Sequence, residues 1–466
     1  MGVKAYLLGF VLANAAWATP FTLDFSQVGG PSAIPGTVLA TGLNFPYNLS
    51  VSPNGSLLFG QTTTTSPEGL LYGWGPQATG SAWQLPNLGN GTFGPPTQVG
   101  GTFPGLVTSV RSLGDGVLVV DSGAGAAGGN GNRAMSFVSP DGTTLGTINF
   151  TYPTGSASSW EHSNGMSLVV PGANGINTVY FIVGSAADDA KTTQTVSING
   201  LGLSNVTLNG DSVYKMTVQS TSTNSVQILS APQQIATGLR NPYALSLDAS
   251  GDLLIADNGI DGAHDPNELS ADTLKLLPAN QIGQSVVDYG FPNSYIDFAT
   301  GMWVNGDPSA TQPLMAFTPV PDANGILQYS EGVSAMAYLS PNLLPFVGDQ
   351  GGVVVSFHGI FDAGGTANNQ NAVVYYDFAT GKLIPILDGA TPGVGHIDGL
   401  AIIGDDLFLE DMSQNGEING LNGLGQGAIY EFDLNQVQAT PEPGTWLLVL
   451  SGLIIPLLRK KTLHKN

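Results

Sequence analysis

Hydrophobic positions along this chain fall in short runs. Leu57-Leu58-Phe59, Val117-Leu118-Val119-Val120, Val179-Tyr180-Phe181-Ile182-Val183 and Leu253-Leu254-Ile255 are each bounded by clusters of Gly, Pro, Asn or Asp. Runs of that length between turn-forming residues predict strands joined by turns, and no long apolar stripe at helical spacing competes with them. One unit recurs: an apolar-small-apolar start, a Gly/Asn/Asp turn, then a hydrophobic strand. It occurs as Leu49-Ser50-Val51 with Pro53-Asn54-Gly55 and Leu57-Leu58-Phe59, then at Val107–Val120 around Gly114-Asp115-Gly116. It returns from Met166-Ser167-Leu168 to Val179–Val183, and as Leu245-Ser246-Leu247, Ala249-Ser250-Gly251-Asp252 and Leu253-Leu254-Ile255. Two further copies lie at Val333–Val347 and Gly399–Leu409. Six copies at irregular spacing argue against a solenoid of strict period, whereas propeller blades tolerate long inserted loops. The pattern predicts an all-β chain folded as a six-bladed β-propeller, with a pair of β-sandwiches as the alternative. Asn-Gly, Asp-Gly and Gly-Asp pairs supply its hairpin turns, because they accept positive φ at low cost.

The two ends depart from this pattern. Lys4 precedes the apolar stretch Ala5–Leu12, and Ala16-Trp17-Ala18 has the small-x-small form of a signal-peptide cleavage site. The predicted mature chain starts at Thr19. At the other end Pro441-Glu442-Pro443 is followed by the apolar run Leu447–Leu458 and the basic cluster Arg459-Lys460-Lys461. A stable spanning helix needs about 20 apolar residues; this run is shorter and contains Pro456. The order resembles the PEP-CTERM sorting signal, which implies export, transient membrane contact through a C-terminal hydrophobic helix, and recognition by an exosortase; a plain C-terminal anchor is the alternative. The expected division is a signal peptide at 1–18, a propeller at 19–437 and a sorting tail at 438–466. The expected destination is the cell surface or extracellular matrix of a Gram-negative bacterium.

Charge narrows the partners. The 466-residue chain has a formal net charge of −22 and no cysteine. Residues 19–440 alone hold 7 Lys or Arg against 33 Asp or Glu. Phosphate backbones require a cationic surface, so nucleic acid is excluded as a partner class. Disulfides and thiolate chemistry are excluded too. Calcium, cationic partners and neutral sugars or glycans suit such a surface, which also serves plain solubility.

The fourth repeat carries chemistry. Gly238-Leu239-Arg240-Asn241-Pro242-Tyr243-Ala244 is followed by Ala256-Asp257-Asn258-Gly259-Ile260-Asp261-Gly262, then Asp265-Pro266-Asn267-Glu268 and Tyr289-Gly290-Phe291-Pro292-Asn293. This order resembles the glucose/sorbosone dehydrogenase family, six-bladed propellers that use pyrroloquinoline quinone (PQQ) and Ca2+. His162-Ser163-Asn164-Gly165 is similar to the segment around that family's catalytic histidine, and Phe357-His358-Gly359 to its fifth blade. The resemblance implies that His162 is the general base taking a sugar hydroxyl proton. It implies that Arg240 holds a quinone oxygen or carboxylate and that Asn241 orients the cofactor. The resemblance leaves Lys382, the sole Lys or Arg in residues 301–440, as the further cation expected for the quinone. The carbonyls of Gly259 and Ile260 would ligate calcium, with Asp261, Asp265 and Glu268 as a second set of oxygen donors. Tyr243 stands where the family pattern has Gln.

Two functions follow: an exported oxidoreductase acting on sugars or related alcohols, and a non-catalytic surface propeller that binds glycans or protein partners. A lactonase-like calcium propeller is a third. The residues lining the central channel discriminate between the first two: Arg and Lys converging with His162 favour the enzyme, and a plugged channel favours the binding module.

Overall fold

The computed structural model describes residues 20–63, 79–123, 133–153, 160–163, 165–221, 225–260, 270–317, 332–359, 371–418 and 423–435. The expected signal peptide and sorting tail lie outside these residues. Among the described residues no helix is long and apolar enough to cross a membrane.

Beside three two-stranded ribbons, the described residues form six blade sheets around a common axis, antiparallel apart from one parallel pair in the third. Their inner strands are Tyr47–Val51, Leu106–Ser112, Ser167–Val170, Asn241–Leu247, Val333–Leu339 and Ile397–Ile403, which we number as blades one to six. Each inner strand packs beside that of the next blade, and the sixth beside the first, so the ring is closed. The architecture is the six-bladed propeller expected from the repeats. The outermost strand of blade six is Thr37–Leu43, from the N-terminal region, paired with Gly427–Asp433. Blade two is extended to six strands by the hairpin Thr195–Gly200 and Leu203–Asn209.

The apolar runs in the sequence have a direct cause. A second strand is covered by neighbouring blades on both faces, so it cannot alternate. Leu57–Thr62, Leu118–Gly123, Leu253–Asn258 and Gly352–Phe357 are buried at every position. Burial of one such Leu, Ile or Phe contributes about 1.5–3 kcal/mol, and the core consists of these layers between blades. Phe357, for example, packs edge-on against Phe317 across the interface of blades five and four, with ring centroids 5.2 Å apart. The tight turns fall where expected, at Gly55 (φ 79°) and Gly251 (φ 81°). The fifth repeat differs in extent. Its second strand is Gly352–Phe357 rather than a segment ending at Val347. Leu344 and Val347 are buried in the connecting segment, where they pack into the core without pairing.

Five of the six inner hairpins break register near the start of the inner strand, at Tyr47/Ser50, Val107/Ser109, Pro242/Ala244, Val333/Ala335 and Ile397/Gly399. Bulges of this kind re-aim side chains beside functional sites. Here they gather on the one face of the ring where inner strands begin and second strands end.

Candidate functional site

That face is organised by acids at the ends of second strands. The Asp257 carboxylate, 4% exposed, accepts the backbone N–H groups of Arg240 (3.3 Å) and Asn241 (2.9 Å). Asp411 does the same for Gly395, His396 and Ser413 in blade six. Asp121 holds Arg133 in blade two through a 2.8 Å ion pair, and the Arg133 guanidinium lies 4.4 Å from the Phe150 ring centroid. These acids tie each inner strand or its neighbour to the face. The signal for them was present in the sequence, as an Asp closing the hydrophobic strand in Val119-Val120-Asp121, Ile255-Ala256-Asp257 and Leu409-Glu410-Asp411.

His162 and Arg240 come together. A backbone relay joins their segments: His162 N donates to Ser185 O (3.0 Å) and Ser185 N to Arg240 O (2.7 Å). Gly184 permits this approach, since a Cβ there would stand 2.7 Å from His162 Cβ. The Arg240 guanidinium pairs with the Asp188 carboxylate, and Arg240 Nε donates to Asp188 O at 3.0 Å. Asp188 Oδ1 in turn lies 4.0 Å from His162 Nε2. The other ring nitrogen fixes the tautomer. Ser185 Oγ donates its single proton to Ala187 O (2.6 Å), so it accepts from His162 Nδ1 (2.8 Å). Nδ1 therefore carries a proton, and Nε2 faces Asp188 on a side chain that is 12% exposed. A proton taken up at Nε2 would be stabilised by the Asp188 carboxylate.

The remaining expected residues scatter. Asn241 sits beside this group, its backbone N–H on Asp257. Gly259 N donates to Asp272 Oδ1 (2.7 Å) and Ile260 N to Ser270 Oγ (2.6 Å), while the Ile260 carbonyl accepts from Ser270 N. Asp261, Asp265 and Glu268 lie outside the described residues. Among those described, no three His, Asp or Glu side chains gather to hold a metal. Lys382 is not part of the group: it is exposed, opposite Asp377 where the outermost strand of blade five begins.

Two features of the face were not expected. Beside Arg240 a small cleft, with about 30 Å3 open to a water-sized sphere, is lined by Asp257, Asn258, Lys275, Tyr289 and Phe291. Lys275 Nζ, almost fully buried, donates to Asp257 Oδ2 (2.7 Å) and Thr273 Oγ1 (2.6 Å). The second feature closes the axis. Tyr47 of blade one and Tyr243 of blade four, on opposite sides of the ring, are hydrogen-bonded through their hydroxyls at 2.6 Å. Arg111 lines the axis, donating to Asn48 Oδ1 (2.5 Å) and Ser167 O (2.9 Å) beside a small cavity bordered by residues of all six blades. Near the tyrosines lie buried Asp398, Glu410 and the stacked pair His358 and His396, with ring centroids 4.3 Å apart. Burial and the Asp398 and Asp411 carboxylates push Glu410 well above its ordinary value. Burial raises Asp398, but His358 at 2.9 Å, together with Ser334 and His396, more than offsets it and the carboxyl sits below its usual range. Burial and then His358 push His396 down to about 4.

No family model and no curated protein matches the chain. Solved structures do. The PQQ domain of a pyranose dehydrogenase from Coprinopsis cinerea, in its holo form, is 13% identical, with 85% of this chain and 94% of that one covered at a TM-score of 0.50. A PQQ-bound aldose sugar dehydrogenase from Streptomyces coelicolor is 15% identical, with 87% and 99% covered at 0.50. The shared feature is the fold. At these identities the likeness is one of blade number and arrangement, and the side chains of the face have to be read on their own terms.

PQQ fits that face only in part. Arg240 and His162, bridged by one carboxylate, suit a quinone oxygen and a substrate hydroxyl. For the three carboxylates of the cofactor, exposed Lys191, three residues beyond Asp188, is the nearby cation without a buried acid partner among the described residues. Arg240, Lys275 and Arg133 are each committed to a buried acid, Arg111 is committed to Asn48 and backbone carbonyls, and the tyrosine bridge closes the axis. Three further anions beside Asp398 and Glu410 would need more cations than this arrangement supplies.

Proposed function

We propose that this chain is an exported carbohydrate-binding propeller, built on the sugar dehydrogenase fold, that receives a neutral sugar at His162 and Arg240. The observation that carries the proposal is the commitment of the buried cations around that site, Arg240, Lys275 and Arg133, to buried acids. A neutral, hydroxyl-rich ligand needs no net positive charge, only donors and acceptors held in place. The His162–Asp188–Arg240 group offers both, on a face whose axis is closed by Tyr47 and Tyr243. Export rests on the two terminal signals, and the acidic surface suits an extracellular neutral glycan better than a polyanion.

Oxidation is the second reading, favoured by one observation: His162 Nε2 lies 4.0 Å from a carboxylate that would stabilise an imidazolium. In that reading His162 removes the hydroxyl proton, and bound PQQ would supply the hydride acceptor. Titration of the full chain with PQQ and Ca2+, followed by the cofactor's absorbance, separates the two. The binding reading expects no saturable PQQ binding, a measurable affinity for aldoses by calorimetry, and at least a tenfold loss of that affinity in His162→Ala. Saturable PQQ binding with dye reduction that disappears in His162→Ala would replace it with the oxidoreductase.

A further inference from the structure

The cleft beside Arg240 contains a donor and an acceptor that the fold does not use. Asn258 is 9% exposed, and its Oδ1 is buried without a hydrogen-bond donor. Such an atom is uncommon, because desolvation without a partner is costly. On the same lining, the Lys275 ammonium has three protons and gives two of them to Asp257 and Thr273. One acceptor and one donor in a common cleft match a hydroxyl, which does both; a carbonyl or an ammonium satisfies only one of them. Tyr289 and Phe291, 1% and 9% exposed, give the cleft apolar walls. The open volume of about 30 Å3 is that of roughly two waters, given the 10–15 Å3 that one needs. A group of one carbon and one oxygen fills it; a sugar ring does not.

We infer that this cleft is a subsite for the exocyclic hydroxymethyl group of a hexose, with Asn258 accepting from its hydroxyl and Lys275 donating to it. The inference rests on the proposed sugar-binding function. Arg240 lines the cleft while its guanidinium pairs with Asp188 beside His162, so one residue joins the cleft to the proposed sugar site. The subsite therefore selects hexoses over pentoses and 6-deoxy sugars. Neither composition nor spacing marks it, because Asn258, Lys275 and Tyr289 come from three separate segments of the chain.

Matched ligand pairs test this. Binding of D-glucose against 6-deoxy-D-glucose, and of D-galactose against 6-deoxy-D-galactose, is measured on the full chain by calorimetry. The expected result is roughly tenfold tighter binding of each parent sugar, the size of effect seen when a buried polar site loses its ligand hydroxyl. Asn258→Leu should bring the parent sugars down to the level of the deoxy sugars and leave the deoxy sugars unchanged, whereas His162→Ala should weaken all four alike. Equal wild-type affinity for both members of a pair would overturn the subsite, leaving the cleft as a water site, and leave the sugar-binding function standing. A uniform loss on all four sugars in Asn258→Leu would overturn it as well. If no sugar binds, subsite and function fall together. Should Asn258→Leu not fold, the comparison of parent and deoxy sugars on wild-type protein decides by itself.

Discussion

The Tyr47–Tyr243 bridge gives the sharpest energetic prediction. Both rings are buried, at 3% and 7% exposure, and the hydroxyls meet at 2.6 Å across the axis. Burial holds Tyr243, and burial together with Tyr243 holds Tyr47, well above the ordinary tyrosine pKa, so the bridge stays neutral through the physiological range. Tyr47→Phe or Tyr243→Phe removes one hydroxyl and leaves the other desolvated, at a cost of about 1–3 kcal/mol each. Removing both leaves two matched apolar rings, and the double variant should cost less than the two singles combined. The coupling should be about 1–2 kcal/mol, above the roughly 0.3–0.5 kcal/mol scatter of independent sites. With an unfolding entropy of about 2.1 cal/mol/K per residue and a body of roughly 400 residues, 2 kcal/mol corresponds to a fall of about 2–3 °C in Tm. Differential scanning calorimetry resolves that. Strict additivity of the two substitutions, or single variants indistinguishable from wild type, would refute a bridge that matters to the fold.

Two other perturbations probe the acids of the same face. Lys275→Met strands the Asp257 carboxylate that caps Arg240 and Asn241; it should cost about 3–5 kcal/mol by urea unfolding, and Lys275→Met with Asp257→Asn should recover part of the loss. Glu410 has a folded pKa raised above its ordinary 4.5 by burial and by Asp398 and Asp411, so its contribution is fully present below pH 4.5 and is lost as pH rises toward the folded value. Glu410→Gln should therefore gain on wild type with increasing pH above 4.5, by up to about 1.4 kcal/mol per unit, in denaturation series from pH 4 to 8; a difference independent of pH would show that Glu410 is already ionised.

The inner hairpins of every blade but the fifth were legible because their second strands are sandwiched between blades and written as largely apolar runs; in the fifth the second strand lies beyond the expected segment, at Gly352–Phe357. The outer strands were not legible, since Thr144–Thr151 and Leu203–Asn209 are half-exposed and mix polar and apolar residues. His162 and Arg240 were readable from motif likeness, and the structure places both beside one carboxylate. Asp188 and Ser185, which set the charge and tautomer of that group, were not, because only the relay between three segments brings them there. The same holds for Tyr47 and Tyr243, nearly 200 residues apart and paired through the symmetry of the ring. Lys382 shows the opposite limit: a residue can be conspicuous by its scarcity and still sit on an outer edge.

The pairing of Thr37–Leu43 with Gly427–Asp433 has a kinetic consequence. Each blade is assembled largely from neighbours in the chain, but the ring cannot close until residues from both ends have met. Contacts between such distant residues are slow to form, because loop-closure entropy is lost before they are gained. Blade six should remain an open sheet, with an unsatisfied edge, until the last strand is available. A chain threaded through a membrane from its N-terminus meets that condition only once almost all of it has crossed. For a chain exported as proposed, the closing strand would delay completion of the native ring until the far side, so that the unfinished form would be the one in transit and the finished form the one that stays.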